Sequence, residues 1–408
     1  MRDRPGVRFA RSVMDFGRAE WNSLVTEETI PFLEWEWLAA LEKSGSAGPK
    51  TGWCPLHPHI REGGKLLAAA PFYLKNHSEG EFIWDHFWAE AAFSLGRNWY
   101  PKLVGTIPAT PAEGYRFLTA EGEDPRILGG ALLDAAENLC RRQGIRGIHI
   151  LFADPSWASL LEERSYRSWK HSRFIWENAL PRAPGVSPKT PRPDRFASFE
   201  EFLSLFNKNQ RKNIRKEYRR HEEQGIHLRI LPGEAAEADC FNRIFELYSI
   251  TNDKFIPWDA RWVNGDFFRL LGEYFRPRTL FSQALLGEET LALAMMFRKG
   301  DRLWGRYWGS YGAPRDLHFA ACYYAPMDYC IREGIRLFDP GLGSSHKIRR
   351  GFRAALDRSW HVFFDPVLEG FFTAAVKRAN RLEEETMEAL NAEIPFKEGP
   401  LPFFQNSL

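Results

Sequence analysis

Apolar positions along this chain switch between a period of two and a period of about 3.6, and the switches set an order of elements. In the second half, residues 199–224 carry a helical apolar stripe on a basic background, and a strand follows at 226–231. Helical spacing returns over 234–250 through Phe241, Ile244, Phe245 and Tyr248. Three strand runs come next, TLFSQALL, TLALAMMF and RLWGRYWGSY, broken by Gly287-Glu288-Glu289 and Lys299-Gly300-Asp301. A helix containing 323–332 leads to a strand at 335–338, a glycine-rich loop, a strand at 359–364 and a charged C-terminal helix.

The first half gives the same order in looser form. Strands LHPHIR and LLAAAPFYL surround a turn at Glu62-Gly63-Gly64. A helix, ILGGALLDAAENLCRRQ, precedes the buried-strand run IRGIHILF, the loop ADPSW and the strand RSWKHSRFIW. Both late strands carry Arg-Ser-Trp, at Arg167 and Arg358. The shared order predicts a duplicated α/β unit with a mixed sheet. Between the halves, 181–197 holds five prolines in seventeen residues, too dense for helix or central strand, and is expected to be an extended linker. The expected domains are therefore 1–180 and 198–408. A length of 408 residues also exceeds what one core fills.

Composition narrows the chemistry. A net charge of +2 gives no global drive toward nucleic acid or an anionic membrane, so any such contact must be local. Five scattered cysteines, never spaced as CxxC, argue against a disulfide framework and a zinc site and fit a reducing cytosol. MRDRPGVRFARSVMDF lacks the apolar core of a signal peptide, and no apolar run could span a bilayer, so a cytoplasmic location is expected. No GxSxG, HExxH or clustered Cys/His pattern is present, and no metal is expected.

Four stretches carry candidate chemistry. The loop DPGLGSSHKIRRGF, from Asp339, is not a P-loop, because His346 stands where GxxxxGK needs glycine. Gly341 and Gly343 permit positive φ and close backbone approach, and the loop follows an expected parallel strand, where open α/β sheets place ligands. In a functional reading Lys347 and Arg350 hold a substrate phosphate or carboxylate, and His346 takes a proton from an attacking amine. In a plain reading this is a glycine turn whose basic residues face solvent. GRYWGSYG puts Arg306 and Trp308 on one strand face and Tyr307 and Gly309 on the other, as ligand wall or as core with Arg306 ion-paired.

LHFAACYYAP reads as the start of a helix, with Asp316 as N-cap and with Pro326 forcing a late start or a bend. Here Tyr323 or Tyr324 would protonate a leaving group, beside His318, or the tyrosines are half core and half wall. NKNQRKNIRKEYRR has seven basic residues and one acid, with Arg211, Arg215 and Arg219 at i,i+4 spacing. That stripe is either a phosphate-binding surface for RNA, nucleotide, coenzyme A or an anionic membrane, or a solvated face.

Antiparallel strands, then a helix, then a parallel strand resemble the GNAT acyltransferase fold, and a tandem pair resembles the Fem peptidyl transferases. Narrower segments resemble the FemAB-like proteins of that superfamily. They are Ser44-Gly45-Ser46, Gly52-Trp53, YLKNHSEGEF, Tyr100-Pro101-Lys102-Leu103, QRKNIRKE, GRYWG, Leu317-His318-Phe319, Cys322-Tyr323-Tyr324, His346-Lys347 and Arg350-Gly351-Phe352. The chain departs from that pattern at Ala320 and Ser345, where the family carries acidic residues. The resemblance implies two tandem GNAT-like domains and an active site in the second lobe, formed by the Arg306 strand, the His318 helix and the His346 loop. It implies transfer of an acyl or aminoacyl group from coenzyme A thioester or aminoacyl-tRNA to an amine of a small-molecule or lipid-linked acceptor, with peripheral membrane contact. N-acylation of an amino lipid or long-chain base is one alternative. A non-catalytic protein that binds a cell-wall precursor is the other.

Overall fold

A computed structural model describes residues 6–397 apart from 181–194, 255–260, 313, 315 and 344. Most of the expected linker lies outside the described residues. From the N-terminus come β1 (Arg8–Ala10), α1 (Arg18–Asn22), α2 (Trp35–Lys43), β2 (Cys54–Pro55), β3 (His57–Glu62), β4 (Lys65–Ala69) and β5 (Phe72–Lys75). Next are α3 (His86–Ser94), β6 (Lys102–Gly105), β7 (Leu118–Thr119), α4 (Pro125–Gln143), β8 (Gly147–Ile150), α5 (Ala158–Glu163) and β9 (Arg167–Glu177). Then follow α6 (Phe199–Ser204), α7 (Lys208–Arg219), β10 (Ile226–Pro232), α8 (Ala238–Asp253) and α9 (Gly265–Tyr274). The last third holds β11 (Thr279–Leu286), β12 (Glu289–Lys299), β13 (Arg302–Ser310), α10 (Leu317–Phe319), α11 (Ala325–Arg332), β14 (Leu337–Asp339), β15 (Arg353–Phe363) and α12 (Pro366–Ala392).

Local sequence explains most boundaries. The Asp124 carboxylate accepts from the amides of Arg126 and Ile127, Pro125 opens α4, and Gly144 closes it at φ 67°. Asn207 caps α7 by accepting from the Gln210 amide. That cap divides the expected helix 199–224 into α6 and α7. Pro71 similarly divides LLAAAPFYL, giving β4 to one sheet and β5 to another.

Two compact units emerge, and each draws on both halves of the chain. The first holds the described residues of Met1–His171, Trp262–Tyr274 and Asp357–Glu383. Its main sheet runs β2-β5-β6-β8-β15, with β6 and β8 parallel and Trp360–Phe363 of β15 antiparallel to β8. A smaller antiparallel sheet, β1-β3-β4-β7, completes it. Helix α9 packs on α2, where the rings of Trp37 and Phe267 meet edge-on at 5.1 Å.

The second unit holds the described residues of Ser172–Arg261, Phe275–Leu356 and Glu384–Leu408. Its meander β10-β11-β12-β13 is antiparallel, β14 joins β13 in parallel, and Trp176 and Glu177 of β9 pair antiparallel with β14. The expected repeat is therefore present as antiparallel strands, a helix and a parallel strand in each unit. The strand that closes each sheet comes from the other half of the chain. Phe196, at the end of the expected linker, is buried with Trp176 and Phe202 in the core of the second unit.

Helix α8 lies so close to β13 that a Cβ on Gly309 would sit 2.0 Å from the Leu247 carbonyl oxygen. Gly309→Ala should therefore lower the unfolding free energy by about 1–3 kcal/mol, measured by urea denaturation. Gly130→Ala, where nothing lies within 4 Å, should be neutral or stabilising. Equal stability of the Gly309 variant and wild type would contradict this packing.

Candidate active site

β13 and β14 set the geometry of the candidate site in the second unit. They pair over only three positions, Arg302 with Leu337, Leu303 with Phe338 and Trp304 with Asp339. Beyond Asp339 the ladder ends but the chain still passes close to β13, and a Cβ on Gly341 would lie 2.7 Å from the Gly305 carbonyl oxygen. Gly341 also has φ 81°, so both conformation and space require glycine there. On the other side, the β12–β13 register steps from Met295–Tyr307 to Met296–Gly305, making Arg306 the extra residue of a bulge. A bulge beside diverging parallel strands re-aims backbone and side chains at one place.

Buried charges hold this arrangement. Arg306 lies 3.4 Å from the Asp339 carboxylate and donates to the Gly305 carbonyl at 2.7 Å, while Asp339 accepts from the Gly341 amide at 2.7 Å. Lys347 is fully buried, and its Nζ donates to the carbonyls of Gly341 at 2.6 Å and Leu342 at 2.9 Å. A Cβ on Gly343 would press against that ammonium at 2.6 Å. Burial lowers the Lys347 pKa to about 8, with Asp339 opposing the shift.

The segment Ser345–Arg350 forms a short 3-10 helix after the loop. Arg350 donates to the His346 carbonyl at 2.9 Å and grips the Glu217 carboxylate with one nitrogen at 3.0 and 2.9 Å. Its guanidinium stacks on Phe319 at 3.4 Å, and Tyr324 donates its hydroxyl proton to Glu217.

A π-helical turn, Ala320–Tyr324, joins α10 to α11 and admits Pro326 at the start of α11. It carries both tyrosines. Tyr323 Oη lies 3.0 Å from His346 Nε2, and Tyr324 reaches Glu217. The His318 ring meets Trp308 of β13 at 5.3 Å and Tyr323 at 5.3 Å, linking the bulged strand to the His346–Tyr323 pair. Burial lowers the pKa of His346, with Arg350 and Lys347 adding to the shift, and burial takes His318 down to about 4. Both imidazoles are thus neutral at neutral pH, and burial keeps Tyr323 protonated by raising its pKa. A neutral, half-buried imidazole bonded to a tyrosine can accept a proton.

The structure thus brings together His346, Tyr323, Tyr324, His318, Trp308, Arg306, Asp339, Gly341, Gly343, Lys347 and Arg350. Several expected roles change. Lys347 and Arg350 do not point at a substrate anion: one staples loop carbonyls, and the other pairs with Glu217. Arg306 takes the ion-paired alternative. Tyr307 packs its ring 5.4 Å from Tyr248 in the core. Asp316 precedes α10 at φ 75° and bonds Arg220 instead of capping. On α7, Arg215 is exposed and bonds Glu200, and Arg211, one turn before it and half-buried, belongs to the same row of the helix. Glu217 is the residue that sequence reading missed as a site group. Its signal was being the lone acid of a basic helix, three residues after the buried Ile214.

The matching place in the first unit is closed. Pairing continues past β6, with the Leu151 amide on the Gly105 carbonyl at 2.9 Å. A Cβ on Gly105 would meet Ile150 and the Tyr115 hydroxyl, each at 2.8 Å.

Native Lys347 releases its proton at about 8, whereas an unfolded lysine does so at about 10.4. Between those values the unfolded chain binds more protons, so the native state gains stability as pH rises. The unfolding free energy of wild type minus that of Lys347→Met should therefore grow as pH is raised from about 8 toward 10. A difference that stays flat would contradict the buried position.

A family model described as FemAB-like, peptidoglycan biosynthesis/recognition, matches residues 12–398. No protein of curated function matches the chain. Among solved structures, FemX aligns with a TM-score of 0.50 at 11% identity, over 88% of this chain and 98% of its own. L-PGS from Bacillus licheniformis gives 0.44 at 12% identity, over 84% and 96%. A tandem GNAT protein from the clavulanic acid biosynthesis pathway gives 0.42 at 11%, over 88% and 98%. The likeness to FemX bears out the expected mixed α/β fold, and the family match over nearly the whole length makes this chain a member of the FemAB-like peptidoglycan biosynthesis/recognition family.

Proposed function

We propose that this transferase moves an acyl or aminoacyl group from an activated carrier to an amine on a cell-wall precursor. The carrier would be a coenzyme A thioester or an aminoacyl-tRNA. The observation that carries the reading is the neutral His346 imidazole, bonded to Tyr323 at 3.0 Å and linked through His318 to the bulged strand. In this reading the carrier's carbonyl lies beside the bulge at Arg306, and the amine nitrogen attacks its carbon. Backbone N–H groups stabilise the oxyanion, His346 takes the proton that nitrogen loses, and that proton passes on to the carrier's sulfur or oxygen as the carbonyl carbon releases it. No covalent enzyme intermediate is needed. Glu217 restores a carboxylate that Ala320 and Ser345 do not supply, and it acts by fixing Arg350 and Tyr324 around His346. Its presence supports a working site over a degenerate binding module.

Mass spectrometry of molecules that co-purify with the protein identifies the carrier and acceptor class. With that donor, His346→Ala should lower kcat by about 10²–10⁴-fold with little change in donor binding. Turnover of a folded His346→Ala protein at the wild-type rate would remove His346 as the base.

A further inference from the structure

Helix α3 has a packed side and an open side. One is buried: Trp88 and Ala92 pack with Trp99, Phe363, Leu368, Phe372 and Val376 of the first unit. The other is open to solvent. Phe87 is 68% exposed and Phe93 79%, with Trp84 before the helix at 63% and Leu95 after it at 45%. Phe87 and Phe93 lie about 120° apart around the helix, on either side of exposed His86, Glu90 and Ser94, and with Trp84 and Leu95 they gather large apolar groups in one open patch that calls for a partner both apolar and polar.

What surrounds the patch indicates which partner. Arg97 pairs with Asp365 at 3.1 Å, the Arg146 amide donates to the Pro101 carbonyl at 2.8 Å, and the Phe364 amide donates to the Arg146 carbonyl at 3.0 Å. Arg141 stacks over Phe364 at 4.4 Å. These contacts set the end of α3, the last turn of α4 and the start of α12 side by side, so exposed Val367 adjoins the same region. Arg141, Arg142 and Arg146 have no carboxylate partner among the described residues. The acids nearby are Glu90, on the exposed face of α3, Asp365, held by Arg97, and Glu369, held by Arg167. The rim is therefore basic in balance. A second copy of this chain, meeting the patch by twofold symmetry, would bring like-charged rims together. Anionic headgroups complement them.

We propose that α3 and its flanks dock the first unit on an anionic lipid surface, with Trp84, Phe87, Phe93 and Leu95 in the headgroup–acyl boundary and the arginines on lipid phosphates. This is a different surface from the basic face of α7, and it does not depend on the acyl-transfer reading.

Full-length protein is sedimented with vesicles of phosphatidylcholine and phosphatidylglycerol in equal parts, and with vesicles of phosphatidylcholine alone. Binding should be tighter on the mixed vesicles and fall with salt. A Phe87→Ser/Phe93→Ser variant, altered only at exposed positions, should unfold at the wild-type temperature and bind about tenfold more weakly or less. Arg141→Gln/Arg142→Gln should weaken binding to mixed vesicles by about tenfold and leave the weaker binding to phosphatidylcholine unchanged. Absence of wild-type sedimentation, or undiminished binding by the serine variant, overturns the proposal. A wild-type dimer in light scattering that the serine variant dissociates also overturns it, assigning the patch to a second copy.

Discussion

β13 and β14 pair for three residues and no further, and the candidate site of the second unit depends on that ending. Parallel strands that stayed paired would consume their own backbone groups, as β6 and β8 do in the first unit. Here the chain leaves β14 at Asp339 and passes so near Gly305 that any side chain at 341 would collide. The bulge at Arg306 shifts the neighbouring strand on its other side at the same height. Together these features make a wedge in an otherwise continuous ladder, at the carboxyl end of a parallel strand, where α/β sheets place ligands.

Holding a wedge open requires fixed charges in a place that offers little water. Lys347 is stabilised by two carbonyls and by the Asp339 charge, at the cost of burying an ammonium, and its lowered pKa reflects that cost. The Glu217–Arg350 pair works differently. One guanidinium nitrogen shared by both Glu217 oxygens, the other on the His346 carbonyl, and stacking on Phe319 join α7, the π-turn and the 3-10 segment that bears His346. Removing either charge would leave the other poorly solvated, so the arrangement is cooperative. The π-turn lets adjacent tyrosines reach different partners, His346 and Glu217.

Much of this was legible in the sequence. The meander, its turns at Gly287 and Gly300, and the helix bearing Tyr323 and Tyr324 follow from periodicity and turn chemistry. The site loop was legible as a close-approach loop because its glycines allow nothing else. What pattern reasoning missed was direction. A buried lysine and a solvent-facing one share the same letter, so Lys347 and Arg350 read as ligand-binding groups. Glu217 was hidden because charge runs are judged by their majority, and its meaning depends on Arg350 far along the chain. The exchange of closing strands between halves is a non-local pairing, which no local period encodes. Only the shared Arg-Ser-Trp of β9 and β15 hinted that the two strands are equivalent.

The central claim is that the acyl carrier's carbonyl meets the bulge of β13 where β14 departs, within reach of His346. A crystal structure of the protein bound to a non-hydrolysable acyl-coenzyme A tests this most directly. The account predicts the acyl oxygen beside the backbone of Arg306 and Tyr307, with His346 and Tyr323 on the side open to an amine. A carrier bound in the first unit, or one whose carbonyl lies away from the bulge, would contradict it.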